Sequence, residues 1–182
     1  YLQFRPNTWR FDANYKNNAA ELAKIAKDYD TFQSSRGFAV DSVFMQLGMS
    51  LDGEFNRNAD LAMSRVADLK KYFVASTPMG KQLTGDNIRT NYLGEDWNGL
   101  VILLRSNKQI TNRDAIIDSL GNAYDADKAK KEAETKFPED FKLMKDSLYP
   151  KLEKVEFLFY VHRKDMVEDT EVITVEPEQV RG

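Results

Sequence analysis

Ser50, Asp52, Asn58 and Arg65 are the residues of this chain whose types and spacing could hold a ligand. They lie in the stretch from Leu47 to Phe73, LGMSLDGEFNRNADLAMSRVADLKKYF. Arginine pairs with a carboxylate through two parallel hydrogen bonds. A helix N-terminus offers unpaired N–H groups and a positive dipole end to the same kind of anion. The stretch has the form strand, acidic glycine-containing loop, amphipathic helix. Val43, Met45 and Leu47 alternate and share one strand face. Ser50, Asp52 and Gly53 break that pattern as a turn does. From Asn58 a helical period follows, with Ala62, Val66, Leu69 and Phe73 on one stripe. Arg65 flanks the stripe two turns after Asn58, so both side chains look over the same edge of the helix.

The other reactive residue types form no catalytic pattern. The chain has one histidine, His162, and no cysteine, which excludes thiol chemistry and disulfides and argues against a zinc site. The segment Gly48-Met49-Ser50-Leu51-Asp52 fails the nucleophile-elbow pattern at its last position. Nothing brings His162 to a serine, and its place at a strand end reads as surface. Asp12, Asp28 and Asp30 fit no calcium loop. Trp97, beside Glu95 and Asp96, reads as a packing anchor rather than a groove wall. The charged run Lys128, Lys130, Lys131, Glu132, Glu134 and Lys136 reads as a solvated helix face. The expectation is a non-enzymatic protein with no metal and no cofactor.

The elements that must position the four residues follow in order. Tyr1 to Phe11 is an aromatic-rich strand candidate broken by Pro6. Asn18 with Glu21 has the form of a capping box for a helix to about Thr31. Strands are expected at Phe38 to Leu47, Ile88 to Leu93 and Val155 to Val161, the last with the clearest alternation. The key helix should stop near Ala75, before Pro78 and Gly80. Trp97 to Arg105 reads as helical, Thr111 and Asp114 as a cap, and Asp125 as the start of a helix ended by Pro138. A further helix carries Phe141, Met144 and Leu148 and is closed by Pro150. The fold class is α+β: a mixed sheet of about four strands, helices on one face, and a helical insertion at about 95–152 before the last strand. A domain over 1–165 and an acidic tail or linker over 166–182, with Val172, Ile173 and Val175 as a possible edge strand, complete the layout.

Composition bounds the function classes. The hydrophobic share of 42% and charged share of 30% suit one globular domain. A net charge of −3 gives no reason to expect nucleic-acid binding. No apolar run is long enough to span a membrane. The chain opens on Tyr1 rather than methionine, as expected of an excised or processed form, so a missing leader says nothing about export.

The key stretch resembles the signature of the OmpA-like, peptidoglycan-associated domain family. That signature reads T-D-x-x-G, five further residues to an Asn, then x-x-L-S-x-x-R-A-x-x-V-x-x-Y-L. Gly53, Asn58, Leu61, Arg65, Leu69, Tyr72 and Phe73 fall in register with it, with Ala62 at the family's Ser and Val66 at its Ala. Gly94-Glu95 after the third strand resembles a similar pair in the family. Ser50 occupies the family's Asp position and Met49 its Thr; the nearest carboxylate is Asp52. The resemblance implies a cell-envelope module of the periplasm, associated with the outer membrane. Its partners would be peptidoglycan, bound through the diaminopimelate of the peptide stem, and envelope proteins. Arg65 would clamp the ligand carboxylate, Asn58 would order the loop and helix start, and Asp52 or Ser50 would take the amine. A neutral Ser50 weakens such a site by about 1.5–3 kcal/mol, the worth of a hydrogen bond to a charged group. The alternative is a protein–protein module on the same fold, with a decayed ligand site and a contact surface on the inserted helices, Trp97 to Leu148.

Overall fold

A computed structural model of the protein describes residues 1–83 and 85–164. The order is α1 (Asn18–Ser34), β1 (Phe38–Met49), α2 (Phe55–Ser76), α3 (Pro78–Gln82), β2 (Ile88–Glu95), α4 (Trp97–Ser106), α5 (Arg113–Gly121), α6 (Ala126–Lys136), α7 (Pro138–Leu143), α8 (Tyr149–Leu152) and β3 (Val155–Arg163). The class is α+β. The sheet is mixed, in the order β2-β1-β3, with β1 parallel to β2 and antiparallel to β3. Among the described residues it has three strands, not the expected four. The expected edge strand in the tail lies outside the described residues.

The missing strand is the N-terminal segment, which makes a single antiparallel bridge, Leu2 to Val155. Pro6 has no N–H to give a ladder, and Asn7 takes a positive φ of 55°, which turns the chain away. Side chains satisfy the backbone there instead. The Asn18 amide accepts from Gln3 N–H at 2.9 Å and donates to the carbonyls of Gln3 and Asp12, both at 2.8 Å. Asp68 accepts from Phe11 N–H at 2.8 Å. This use of Asn18 also overturns the capping box: Asn18 is the first helical residue, and its side chain faces the segment rather than the helix end.

Val43, Met45 and Leu47 are buried on one sheet face, as their alternation requires, together with Val155 and Ile88. α1 and α2 cover that face, adding Ile25, Tyr29, Ala62, Leu69 and Phe73 to one continuous core. On the opposite face Leu158 and Tyr160 of β3 are about half exposed.

The segment between β2 and β3 is a run of helices, α4 to α8, joined by short loops, and holds its own core of Leu100, Leu104, Ile110, Ile116, Phe141, Met144 and Leu148. Leu51 of the β1–α2 loop inserts into this second core, so the loop is fixed to the insertion as well as to the sheet. Trp97 packs against the same cluster, which fits an anchor. Pro150 does not close its helix. A π-helical turn over Met144–Leu148 widens the coil ahead of it, and α8 continues to Leu152 with the proline in its first turn, where no N–H is needed. α5 is capped from outside: the buried Asp140 accepts from Thr111 N–H at 3.1 Å and Asn112 N–H at 3.2 Å, a long-range cap in place of the local Thr111–Asp114 signal. Among the described residues no helix is long and apolar enough to cross a membrane.

Candidate functional site

Ser50, Asp52, Asn58 and Arg65 line one pocket of about 280 Å³. Its other walls are the N-terminal segment (Phe4, Pro6, Tyr15, Lys16) and the end of the insertion (Lys145, Tyr149, Glu153). Burial pushes the Tyr149 phenol well above its ordinary value, so this side chain stays neutral between the charged Lys145 and Glu153.

The β1–α2 loop is ordered from the helix side. The Asn58 amide nitrogen lies 3.0 Å from the Asp52 carbonyl, 3.3 Å from the Ser50 carbonyl and 2.8 Å from Glu95 Oε1. Gly53, at φ +94°, allows the turn between them. Asn58 thus ties the loop to the start of α2.

Arg65 is 1% exposed. Its guanidinium donates to the carbonyls of Thr8 at 3.0 Å and Arg5 at 3.1 Å, to Met49 Sδ at 3.2 Å and to Glu153 Oε2 at 3.5 Å. It also lies over the Phe4 ring. Burial lowers its pKa, and the neighbouring Glu153 opposes that shift. The guanidinium is therefore the floor of the pocket and the fastener of the N-terminal segment. Its acid partner is Glu153, whose other oxygen, Oε1, accepts from the Ser50 hydroxyl at 2.7 Å.

Asp52 points outward, 62% exposed, with Lys145 Nζ at 3.6 Å. Lys145 also binds Glu134 at 2.8 Å. Its pKa is raised by the Glu134 hydrogen bond first, with Asp52 adding to the effect. Asp52–Lys145–Glu134 forms a bridge from the loop to the insertion along the pocket rim.

A second polar knot lies behind the loop. Lys130 Nζ bonds Glu95 Oε1 at 2.6 Å, the Gly53 carbonyl at 2.7 Å and Asp127 Oδ1 at 2.8 Å. The Glu95 and Lys130 side chains are 6% and 10% exposed. Lys130 therefore departs from the solvated face expected of the charged run, because it is the residue of α6 that meets the loop. Glu95 reaches it through an irregularity in β2: Leu47 pairs with Tyr92 but Met49 with Glu95, so one extra residue sits in β2, where Gly94 has φ +66°. Without that residue Glu95 would point to the other face of the sheet. Asp127 also accepts from Phe55 N–H at 3.0 Å, so an aspartate of the insertion occupies the N-terminus of α2.

Lys130 beside Asp127 holds that carboxyl below the ordinary aspartate range; burial opposes this and the Phe55 N–H reinforces it. A carboxylate depressed in the folded state stabilises it above the unfolded pKa, and that stabilisation is lost as pH falls through the folded value. Acidification below about pH 4 should therefore destabilise the wild-type protein more than Asp127→Asn. Urea denaturation of both at pH 6 and pH 3 checks this; equal losses would show that Asp127 is not linked.

Sequence reading missed Glu153, Lys130 and Asp127. Glu153 has no local signature: it stands just before β3 and reaches the site only through the fold. Glu95 carried a signal in the Gly94-Glu95 pair. His162 sits at the surface, 53% exposed, with Nδ1 2.7 Å from Asp41 Oδ1, remote from the pocket lining. Compared with protein-family models and with curated proteins, the chain matches none.

Proposed function

We propose that the protein is a non-enzymatic cell-envelope module of OmpA-like type. It would hold a periplasmic or outer-membrane protein against peptidoglycan by binding diaminopimelate in the peptide stem. The observation that carries this reading is the convergence of Ser50, Asp52, Asn58 and Arg65, picked out by one local pattern, on a single open pocket. Its lining mixes cations, Lys16, Lys145 and Arg65, with carboxylates, Asp52 and Glu153, as a zwitterionic ligand requires. Arg65, 1% exposed, meets the ligand carboxylate where the Nη1 contact to Glu153 gives way; at 3.5 Å that contact is longer than the ~2.7–2.9 Å of a full charge-assisted bond. The purified chain should sediment saturably with diaminopimelate-containing peptidoglycan, and free diaminopimelate should compete.

A second reading has its own observation. Both anion-binding features of the stretch are already met by the protein's own acids, Arg65 by Glu153 and the α2 N-terminus by Asp127. On that reading the module binds an envelope protein through the insertion, where Ile102 and Tyr124 are well exposed. Absence of sedimentation at any wall concentration would decide for it.

A further inference from the structure

We infer that Glu153 supplies the carboxylate that position 50 lacks and receives the ammonium group of the ligand. This rests on the peptidoglycan reading and names its recognition group. Ser50 Oγ donates to Glu153 Oε1 at 2.7 Å, so the carboxylate is held directly against the side chain of position 50. It arrives from the opposite wall, 103 residues further along the chain. Arg65 Nη1 approaches Oε2 at 3.5 Å from beneath. Both neighbours are donors, so they fix the orientation of the carboxylate and leave its other lone pairs to the pocket.

Exposure separates the members of this group. Ser50 and Arg65 are buried, whereas the Glu153 side chain is 32% exposed. Of the three, Glu153 is therefore the side chain that a ligand meets first. The pocket's other acid, Asp52, is placed differently, with Lys145 already beside it. Among the described residues Lys145 bridges Asp52 and Glu134, and Lys130 bridges Glu95 and Asp127; neither reaches Glu153. An ammonium group presents three donors and no acceptor, which suits an anchored carboxylate with free lone pairs. The ligand class is an α-amino acid centre with a free primary amine, such as the distal end of diaminopimelate, its carboxylate directed to Arg65.

The test crosses protein and ligand. Wild type and Glu153→Gln are sedimented with diaminopimelate-type peptidoglycan, either native or with its free amines acetylated. Wild type should bind the native wall about tenfold or more tightly than the acetylated wall, as expected for loss of a charged hydrogen bond. Glu153→Gln should bind both equally and weakly. If wild type is indifferent to acetylation, or if Glu153→Gln still discriminates, Glu153 does not receive the amine, and the binding reading stands without it. If wild type binds neither wall, the peptidoglycan reading falls and this inference falls with it. The wild-type comparison needs no variant, so indifference to acetylation overturns the inference even where Glu153→Gln folds poorly.

Discussion

Lys130→Met should destabilise the protein by about 3–5 kcal/mol, because it leaves the Glu95 carboxylate buried without its cation. Methionine keeps the aliphatic stem, so the loss isolates the ammonium rather than the packing. Three acceptors lose a partner at once: Glu95, Asp127 and the Gly53 carbonyl. Glu95 fares worst, since its side chain is 6% exposed and Asn58 is its other partner. Combining Glu95→Gln with Lys130→Met should recover most of the loss. The amide oxygen introduced by Glu95→Gln can still accept from Asn58, and the only carboxylate left without its cation is that of Asp127, which is one-third exposed and keeps the Phe55 N–H. Replacing both members of a buried pair by neutral groups is often close to neutral, whereas removing one is not. Chemical denaturation of the two single variants and the double variant gives the coupling directly. A single-variant cost below about 1 kcal/mol would place the pair in solvent, at the value of a surface ion pair.

This knot also shows why part of the molecule was legible in the sequence and part was not. β1, α2 and β3 follow from periodicities of two and 3.6, and their burial follows with them: Val43, Met45 and Leu47 on one strand, Ala62, Leu69 and Phe73 on the helix. Asn58 and Arg65 were legible because two helical turns put them on one edge. Lys130 looks like its neighbours in a charged run; only the docking of α6 against the loop separates it from Lys128, which is 72% exposed at its side chain. Glu153 and Asp127 are fixed by contacts spanning 103 and 72 residues, which no local pattern encodes. The N-terminal segment failed as a strand for a related reason. Its alternating apolar residues do bury, Leu2 and Phe4 in the main core, but its backbone partners are the side chains of Asn18, Arg65 and Asp68 rather than a ladder.

Arg65 should prove to be a stability residue as much as a binding residue. Arg65→Ala is expected to cost about 3 kcal/mol, since burying an unmet carbonyl costs about 1–3 kcal/mol and two are exposed to that fate here, those of Arg5 and Thr8. Arg65→Lys should recover little. The acceptors are met by separate nitrogens of a planar fork, and one ammonium on a flexible stem cannot serve Thr8, Arg5, Met49 and Glu153 together. The damage should also be local. α1 and α2 keep their contacts with the sheet, while the segment around Pro6 and Asn7 loses a fastener on its pocket side. Hydrogen exchange should therefore rise first over residues 1–12 in both variants, at denaturant concentrations that leave β1 protected. Uniform exchange across the chain would mean that the segment unfolds only with the whole domain. Because Phe4 and Pro6 form a wall of the same pocket, release of the segment opens the site that Glu153 and Asp52 face. Loss of wall binding in an Arg65 variant is then expected from two causes at once, a missing guanidinium and a missing wall. Pro6→Gly, which loosens that wall and leaves every side chain on Arg65, Glu153 and Ser50 in place, separates them: binding lost in Arg65→Lys but kept in Pro6→Gly belongs to the guanidinium itself.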